Sequence, residues 1–311
     1  MATMTAARIH QFGGPEVIQI EQVEIPAPGP GQVLVRVAAA SINPVDYKIR
    51  EGEFPPIQQD KLPLTLGRDL SGTVVSLGQG VTQLHQGDRV YAMIGADGGY
   101  ADYALVQAGH TAKVPDGQDF NLAASVPLAA HTAWQALFDH GHLKAGQKVL
   151  IHGGSGGVGH LAVQFAKAAN AIVYTTGSQK SLAFLESLGP DRVIDYKAER
   201  FEDVCREFDL VIDLIGGQTQ DRSWKVLREG GRLVSTLTEP DQNHPDAKGK
   251  TGTRFMAEPN GAQLTEISQL IITGKVRPVL ARTFTLNKAA DAQRYLENEH
   301  VEGKVVLAIA S

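Results

Sequence analysis

The chain has 311 residues, more than one hydrophobic core usually serves, so two domains are expected. Its 29 basic and 34 acidic residues give a net charge of -5 with no basic block that would mark a nucleic-acid partner, and its one cysteine, Cys205, excludes an internal disulfide or a cysteine-rich metal site. No apolar run reaches the ~18 residues of a membrane helix and Met1 to His10 lacks a signal-peptide core, so a soluble, cytoplasmic protein is expected.

From residue 8 to about 119 the sequence runs in short β-rich segments broken by glycine and proline, at 32–38, 72–77, 89–93 and 100–106, which predicts an all-β domain. Proline-rich 24–31 reads as a surface loop. Beyond about residue 121 apolar strands alternate with amphipathic helices, the pattern of a doubly wound parallel sheet. Strands are predicted at 148–152, 171–175, 192–195, 209–214 and 232–237, with helices at 158–169, 181–188 and 222–228 among them. A helix-strand-helix-strand stretch, 262–309, closes the chain. Cys205 is expected as a small side chain on a helix.

The 33 glycines suggest a glycine-rich site, and the densest cluster is His152-Gly153-Gly154-Ser155-Gly156-Gly157-Val158-Gly159, between a strand and a helix. Gly154, Gly156 and Gly159 have the G-x-G-x-x-G spacing of a dinucleotide-binding turn. There the chain must turn tightly, approach a pyrophosphate and set the helix close to the strand, with Ser155, Gly157 and Val158 completing the cradle. Backbone N–H groups at the positive end of the helix would hold the phosphate. Gly153 through Gly157 also fits G-x-S-x-G, the nucleophile elbow of a serine hydrolase. That alternative would use Ser155, with Asp213 and either His244 or His300 in triad order.

The second predicted strand distinguishes the dinucleotides. An NAD site usually ends this strand in a carboxylate for the ribose hydroxyls, but here the residues are Thr175-Thr176-Gly177-Ser178-Gln179-Lys180. Thr176 and Ser178 hydroxyls with the Lys180 ammonium would bind a 2′-phosphate, so NADPH is the expected cofactor. Leu214, Ile215, Thr236 and Leu237 end the fourth and fifth strands, on the carboxyl edge where ligands gather.

Taken together, Ser41-Ile42-Asn43-Pro44-Val45-Asp46, Leu66-Gly67-Arg68-Asp69, Gln86-Gly87-Asp88-Arg89-Val90, His131-Thr132-Ala133-Trp134, the glycine loop and Gly303-Lys304-Val305-Val306-Leu307 resemble the zinc-free quinone oxidoreductase branch of the medium-chain dehydrogenase/reductase superfamily. Gly67-Arg68-Asp69 and Gly153-Gly154-Ser155 are similar to the reticulon-interacting and chloroplast quinone oxidoreductase homologues. The resemblance implies an α/β protein: a GroES-like catalytic domain, 1–121 and 260–311, with a Rossmann NADP-binding domain, 122–259, inserted. It implies NADPH-dependent hydride transfer to a quinone or an α,β-unsaturated carbonyl. The partners expected are that small molecule and a second copy of the chain in a homodimer, without nucleic acid or membrane.

Zinc-dependent members carry a cysteine near Asn43, a histidine where Arg68 stands and a further ligand near Leu128. None is present, so no metal is expected. By position in the motifs, Asn43 would polarise the substrate oxygen and lie against the cofactor, while Thr132, Tyr196 and Lys304 would be cofactor-binding. Related enoyl reductases place a tyrosine proton donor where this chain has Phe54, which makes Tyr47 the candidate acid. Asp69 and Asp88 read as structural turn residues. A dinucleotide-binding protein without catalysis stays as a further alternative.

Overall fold

The computed structural model describes residues 2–95 and 98–309. Two compact units are present: one comprises Met1–Leu128, Pro259–Ile272 and Pro278–Ser311, the other Ala129–Glu258 with Thr273–Arg277.

In the first unit a seven-stranded sheet is built around the long strand Gln32–Ile42, which pairs antiparallel with Asp69–Leu77, Tyr103–Gln107 and the closing strand Lys304–Ala308. Valines at alternate positions, Val33, Val35 and Val37, turn inward against Leu70, Val74, Val90 and Val106. A second cluster joins Ile9, Ile42 and Ile49 to Leu66, Tyr100, Val305 and Leu307. Thr3–Ile9, Gln19–Glu24 and Leu64–Thr65 form a separate three-stranded sheet. A helix, Pro44–Glu51, interrupts this β-rich region. Its local signals are strong: proline in the first turn, an Asn43 amide that donates to Asp46 Oδ2 at 2.7 Å, and left-handed Gly52 at the C-cap.

The second unit holds a six-stranded parallel sheet in the order Arg192–Asp195, Ile172–Gly177, Lys148–Ile151, Phe208–Asp213, Leu227–Ser235, Thr251–Arg254. Numbered along the chain this is 3-2-1-4-5-6, with the order reversing between the first and fourth strands. Lys148–Ile151 is buried after its first residue because helices cover both faces of such sheets. Helix Gly159–Ala168 follows, with every residue from Gly159 to Ala166 buried.

The α/β architecture agrees with the sequence, and strands 89–93 and 192–195 match it at both ends. The helix expected at 222–228 does not form. A helix occupies Gly217–Ser223, a short 3-10 turn Trp224–Val226 follows, and by Leu227 the backbone pairs with Phe208. Ladder pairing there overrides the local helix pattern. Strand Thr251–Arg254 escapes the sequence because Thr-Gly-Thr-Arg has no apolar run and none of it is buried. Cys205 caps the short helix Phe201–Val204, with its thiol pushed up to about 12 by burial. Among the described residues no helix is long and apolar enough to cross a membrane.

Candidate functional site: a dinucleotide cradle and a buried polar network

The glycine loop sits at the sheet's switch point. A Cβ on Gly154 would lie 2.0 Å from Thr175 Oγ1, and one on Gly159 would lie 2.1 Å from the Gly153 carbonyl oxygen, so the protein's own packing demands both glycines. Gly156 differs: a Cβ there would meet nothing closer than 3.6 Å, and its φ is not positive. Packing supplies no reason for glycine at 156, whereas a phosphate drawn against the backbone would. Val158, at the N-cap of helix Gly159–Ala168, makes no side-chain cap hydrogen bond. Across the switch point Ile215 overhangs the loop, 3.0 Å from where a Gly153 Cβ would stand, and it is half exposed. Leu237 approaches Gly216 in the same way, at 3.3 Å. The sequence-expected residues Leu214, Ile215, Thr236 and Leu237 therefore follow strand ends beside the loop, none of them buried.

Sequence reasoning missed His152, which holds the loop from below. Its Nε2 is 3.0 Å from Ser223 Oγ, and that hydroxyl donates to the Thr219 carbonyl, so Nε2 carries the proton. Nδ1 then accepts from Thr176 Oγ1 at 3.2 Å, and Thr176 Oγ1 in turn accepts the Gly153 N–H at 3.2 Å. Burial drives the imidazole's pKa down to about 4, keeping it neutral and this chain of donors fixed. A polar residue ending an apolar strand was the available signal. The arrangement commits the Thr176 hydroxyl, expected at a 2′-phosphate, to the loop itself.

Ser178 is buried and opens the turn Gln179–Ser181, its carbonyl accepting the Ser181 N–H at 2.9 Å. Lys180 is exposed and has no ion pair among the described residues. Tyr196, 55% exposed, is tied to this corner by its N–H, which donates to the Gly177 carbonyl at 3.1 Å. Ser178, Lys180 and Tyr196 thus share one corner of the unit. Thr132 and Ser155 are buried elsewhere in it.

The acid of the hydrolase alternative, Asp213, is engaged by groups around its own strand end. Asp213 Oδ1 accepts the N–H groups of Ile215 and Gly216, and Oδ2 accepts Gln220 Nε2 and Ser235 Oγ, so its carboxylate is spent on the loop after its own strand. His244 Nδ1 accepts the Asp246 N–H at 3.2 Å, and His300 belongs to the other unit.

In the first unit Asn43 lies in a wholly buried polar network. Its Nδ2 donates to Asp69 Oδ2 at 3.0 Å and to Ser41 Oγ at 3.3 Å, while its Oδ1 accepts from Lys304 Nζ. Lys304 also donates to the Ile42 carbonyl, and Asp69 accepts Ser41 Oγ and the Leu128 N–H. Asp46 accepts the Asn43 N–H and the Tyr100 hydroxyl, but its Oδ1 has no partner. Burial raises Asp46 to about 7, raises Asp69 and lowers Lys304, whose charge partly offsets theirs. Asn43 Nδ2 thus donates toward one close pair of acceptors, Asp69 Oδ2 and Ser41 Oγ, which are themselves hydrogen-bonded at 2.6 Å. Tyr47 is half-buried outside this network, and burial together with Glu297 and Glu51 raises its phenol, making it a weaker acid. Asp88 accepts the His85 N–H and pairs with Lys113, which suits a turn residue.

Residues 29–116 match a family model described as alcohol dehydrogenase GroES-like domain, and residues 188–307 one described as zinc-binding dehydrogenase. Among the described residues no three His, Cys, Asp or Glu side chains gather as metal ligands. The chain is 36% identical to the NADPH-dependent alkenal/one oxidoreductase, chloroplastic, of Arabidopsis thaliana, over 95% of this chain and 77% of that one. It is 31% identical to the quinone oxidoreductase of Rattus norvegicus, over 98% of each. The solved quinone oxidoreductase from Coxiella burnetii superposes with a TM-score of 0.93 at 36% identity, covering 99% of this chain and all of that one.

Proposed function

This chain belongs to the medium-chain dehydrogenase/reductase superfamily, among its quinone and alkenal oxidoreductases, and on that premise we propose that it is an NADPH-dependent, zinc-independent reductase of quinones or α,β-unsaturated carbonyls. The observation that carries the reading is Gly156, a glycine at the switch point that packing does not require and a pyrophosphate would. In this reading Gly154 to Gly159 hold the pyrophosphate by backbone N–H groups, and Leu214, Ile215, Thr236 and Leu237 flank the dinucleotide. Thr132 lies along it. Ser178 and Lys180 take the 2′-phosphate, with Tyr196 lining the same corner. NADPH over NADH rests on Lys180, a cation with no counter-ion among the described residues, where an NAD site would place a carboxylate.

The reduced nicotinamide supplies hydride when bound. The chain's own task is to fix the acceptor, exclude water and steady the oxygen that gains charge. In this reading Asn43, held in place by Asp69, Ser41 and Lys304, is the donor to that oxygen. Zinc independence rests on residue chemistry, since Arg68 and Leu128 offer no ligand atoms for zinc. A homodimer fits the edge of strand Thr251–Arg254, which among the described residues pairs on one side only.

The test is NADPH consumption with a panel of quinones, alkenals and 2-enones, followed by transfer of deuterium from C4-labelled NADPH to the alkene carbon. Stereospecific label transfer is expected. Tight NADPH binding with no oxidation by any acceptor would instead favour the non-catalytic dinucleotide-binding alternative.

A further inference from the structure

His152 follows the strand Lys148–Ile151 and is 1% exposed, so its imidazole is out of reach of anything bound at the surface of its unit. The ring meets Phe201 edge-on, with centroids 4.6 Å apart, and the charges around it are those of Asp213, Arg222 and Glu202. The hydrogen bonds through it run in one direction. Ser223 Oγ donates to the Thr219 carbonyl at 2.6 Å, Nε2–H donates to Ser223 Oγ, and Nδ1 accepts from Thr176 Oγ1. Thr176 in turn receives two successive loop amides, the Gly153 N–H on its hydroxyl and the Gly154 N–H on its carbonyl at 3.1 Å. The Gly153 carbonyl then accepts the Gly156 N–H at 3.2 Å.

A strand threonine does not turn its hydroxyl to a loop unaided. The neighbouring Thr175 donates its own to the Ile151 carbonyl at 2.9 Å, inside the sheet. The acceptor on His152 draws the Thr176 hydrogen to the far side and leaves the oxygen's lone pairs for Gly153. Gly153 has a left-handed φ of +74°, and its carbonyl oxygen lies 2.1 Å from where a Gly159 Cβ would stand. With its N–H held by Thr176 and its carbonyl by Gly156, this residue is fixed at both ends. The relay therefore ends at Gly156, the glycine that packing does not require. A loop ordered before its ligand arrives gives up less conformational freedom on binding.

We infer that His152 is a positioning residue for the dinucleotide cradle: acting through Thr176 and Gly153, it presets the Gly156 backbone for a pyrophosphate that it does not itself touch. The inference rests on the reading of Gly154 to Gly159 as the pyrophosphate cradle. It gives the Thr176 hydroxyl a task apart from the 2′-phosphate, and every group in it belongs to one unit. The pyrophosphate is common to NADH and NADPH, so the contribution of His152 is the same for both. It enters through cofactor affinity and leaves the hydride step alone.

Asparagine and glutamine separate the two sides of the ring. The side-chain oxygen of asparagine replaces Nδ1 and the side-chain nitrogen of glutamine replaces Nε2, so His152→Asn keeps the acceptor for Thr176 while His152→Gln keeps only the donor to Ser223. In fluorescence titrations His152→Gln and Thr176→Val should each weaken NADPH and NADH by the same factor, about tenfold. His152→Asn should stay within about threefold of wild type, and the double variant His152→Gln/Thr176→Val should bind no more weakly than either single one, because both cut one relay. Without ligand, amide hydrogen exchange should quicken at Gly153 and Gly156 in the Gln and Val variants, while the strand Phe208–Asp213 keeps its protection. Thr176→Val leaves the imidazole against Phe201 and carries the comparison if His152→Gln does not fold. Unchanged dinucleotide affinity, a loss confined to NADPH, additive losses in the double variant, or unaltered exchange at Gly153 and Gly156 would each overturn the role of His152. If wild type binds neither dinucleotide, the cradle reading itself falls and the inference with it, whereas wild-type binding that survives both single variants removes the positioning role alone.

Discussion

Lys304 hydrogen-bonds the side-chain oxygen of Asn43 across 261 positions of sequence, and it is the cation facing two buried carboxylates, Asp46 and Asp69. Lys304→Met keeps the volume and removes the charge. Stranding buried carboxylates in this way should cost about 3–5 kcal/mol in urea denaturation. A loss below about 1 kcal/mol would mean that both carboxylates are protonated in the folded state.

Asp46 makes the same network sensitive to pH. Its folded pKa, about 7, exceeds the 3.8 of an ordinary aspartate, so folding takes up a proton between those limits. The stability it contributes is complete below the lower value and is lost as pH rises toward the upper one, at up to about 1.4 kcal/mol per pH unit. Asp69 is raised too and acts with the same sign, while Lys304, lowered by burial, acts oppositely in the alkaline range. Asp46→Asn, which retains an acceptor for the Asn43 N–H and Tyr100, should flatten the stability profile between pH 4 and 7. An unchanged slope would show that Asp46 ionises normally.

The glycine loop separates packing from ligand binding. Gly154→Ala and Gly159→Ala should each destabilise the protein by about 1–3 kcal/mol through overpacking. Gly156→Ala should leave stability within about 0.5 kcal/mol and weaken NADPH binding more than tenfold by fluorescence titration, at about 1.4 kcal/mol per decade. Unaltered NADPH affinity in Gly156→Ala would move the phosphate elsewhere.

The proposed 2′-phosphate contact is tested at Lys180. Lys180→Ala should weaken NADPH by about ten- to a hundredfold and leave NADH nearly unaffected, because only the former brings a 2′-phosphate to the ammonium. Equal losses for the two cofactors would refute a 2′-phosphate contact.

Much of this was legible in the residues, for a physical reason. The Rossmann-like sheet announces itself because its first four strands in chain order are short apolar runs each followed by a helix, and because the cradle is a contiguous loop, Gly153 to Gly159. The polar network was illegible because it converges from distant places: Asn43 meets Asp69 26 positions away and Lys304 far beyond. Asp69 looks like any turn aspartate until the sheet folds its carboxylate inward. Helix Pro44–Glu51 could have been found from Pro44 and Gly52.

The closing strand Lys304–Ala308 lies between Gln32–Ile42 and Leu280–Thr285, inside the seven-stranded sheet rather than at its rim. On a ribosome, therefore, the first 128 residues emerge with an unfilled slot in their sheet and with Asp46 and Asp69 lacking their lysine. The Gly154 cradle and its parallel strands are encoded almost without interruption, within Ala129–Glu258, and have all their pairing partners some fifty residues before synthesis reaches Lys304. Vectorial synthesis thus favours a Rossmann-like unit that matures first and a GroES-like unit that is sealed last, an order in which nascent-chain binding of a dinucleotide would precede closure of the sheet.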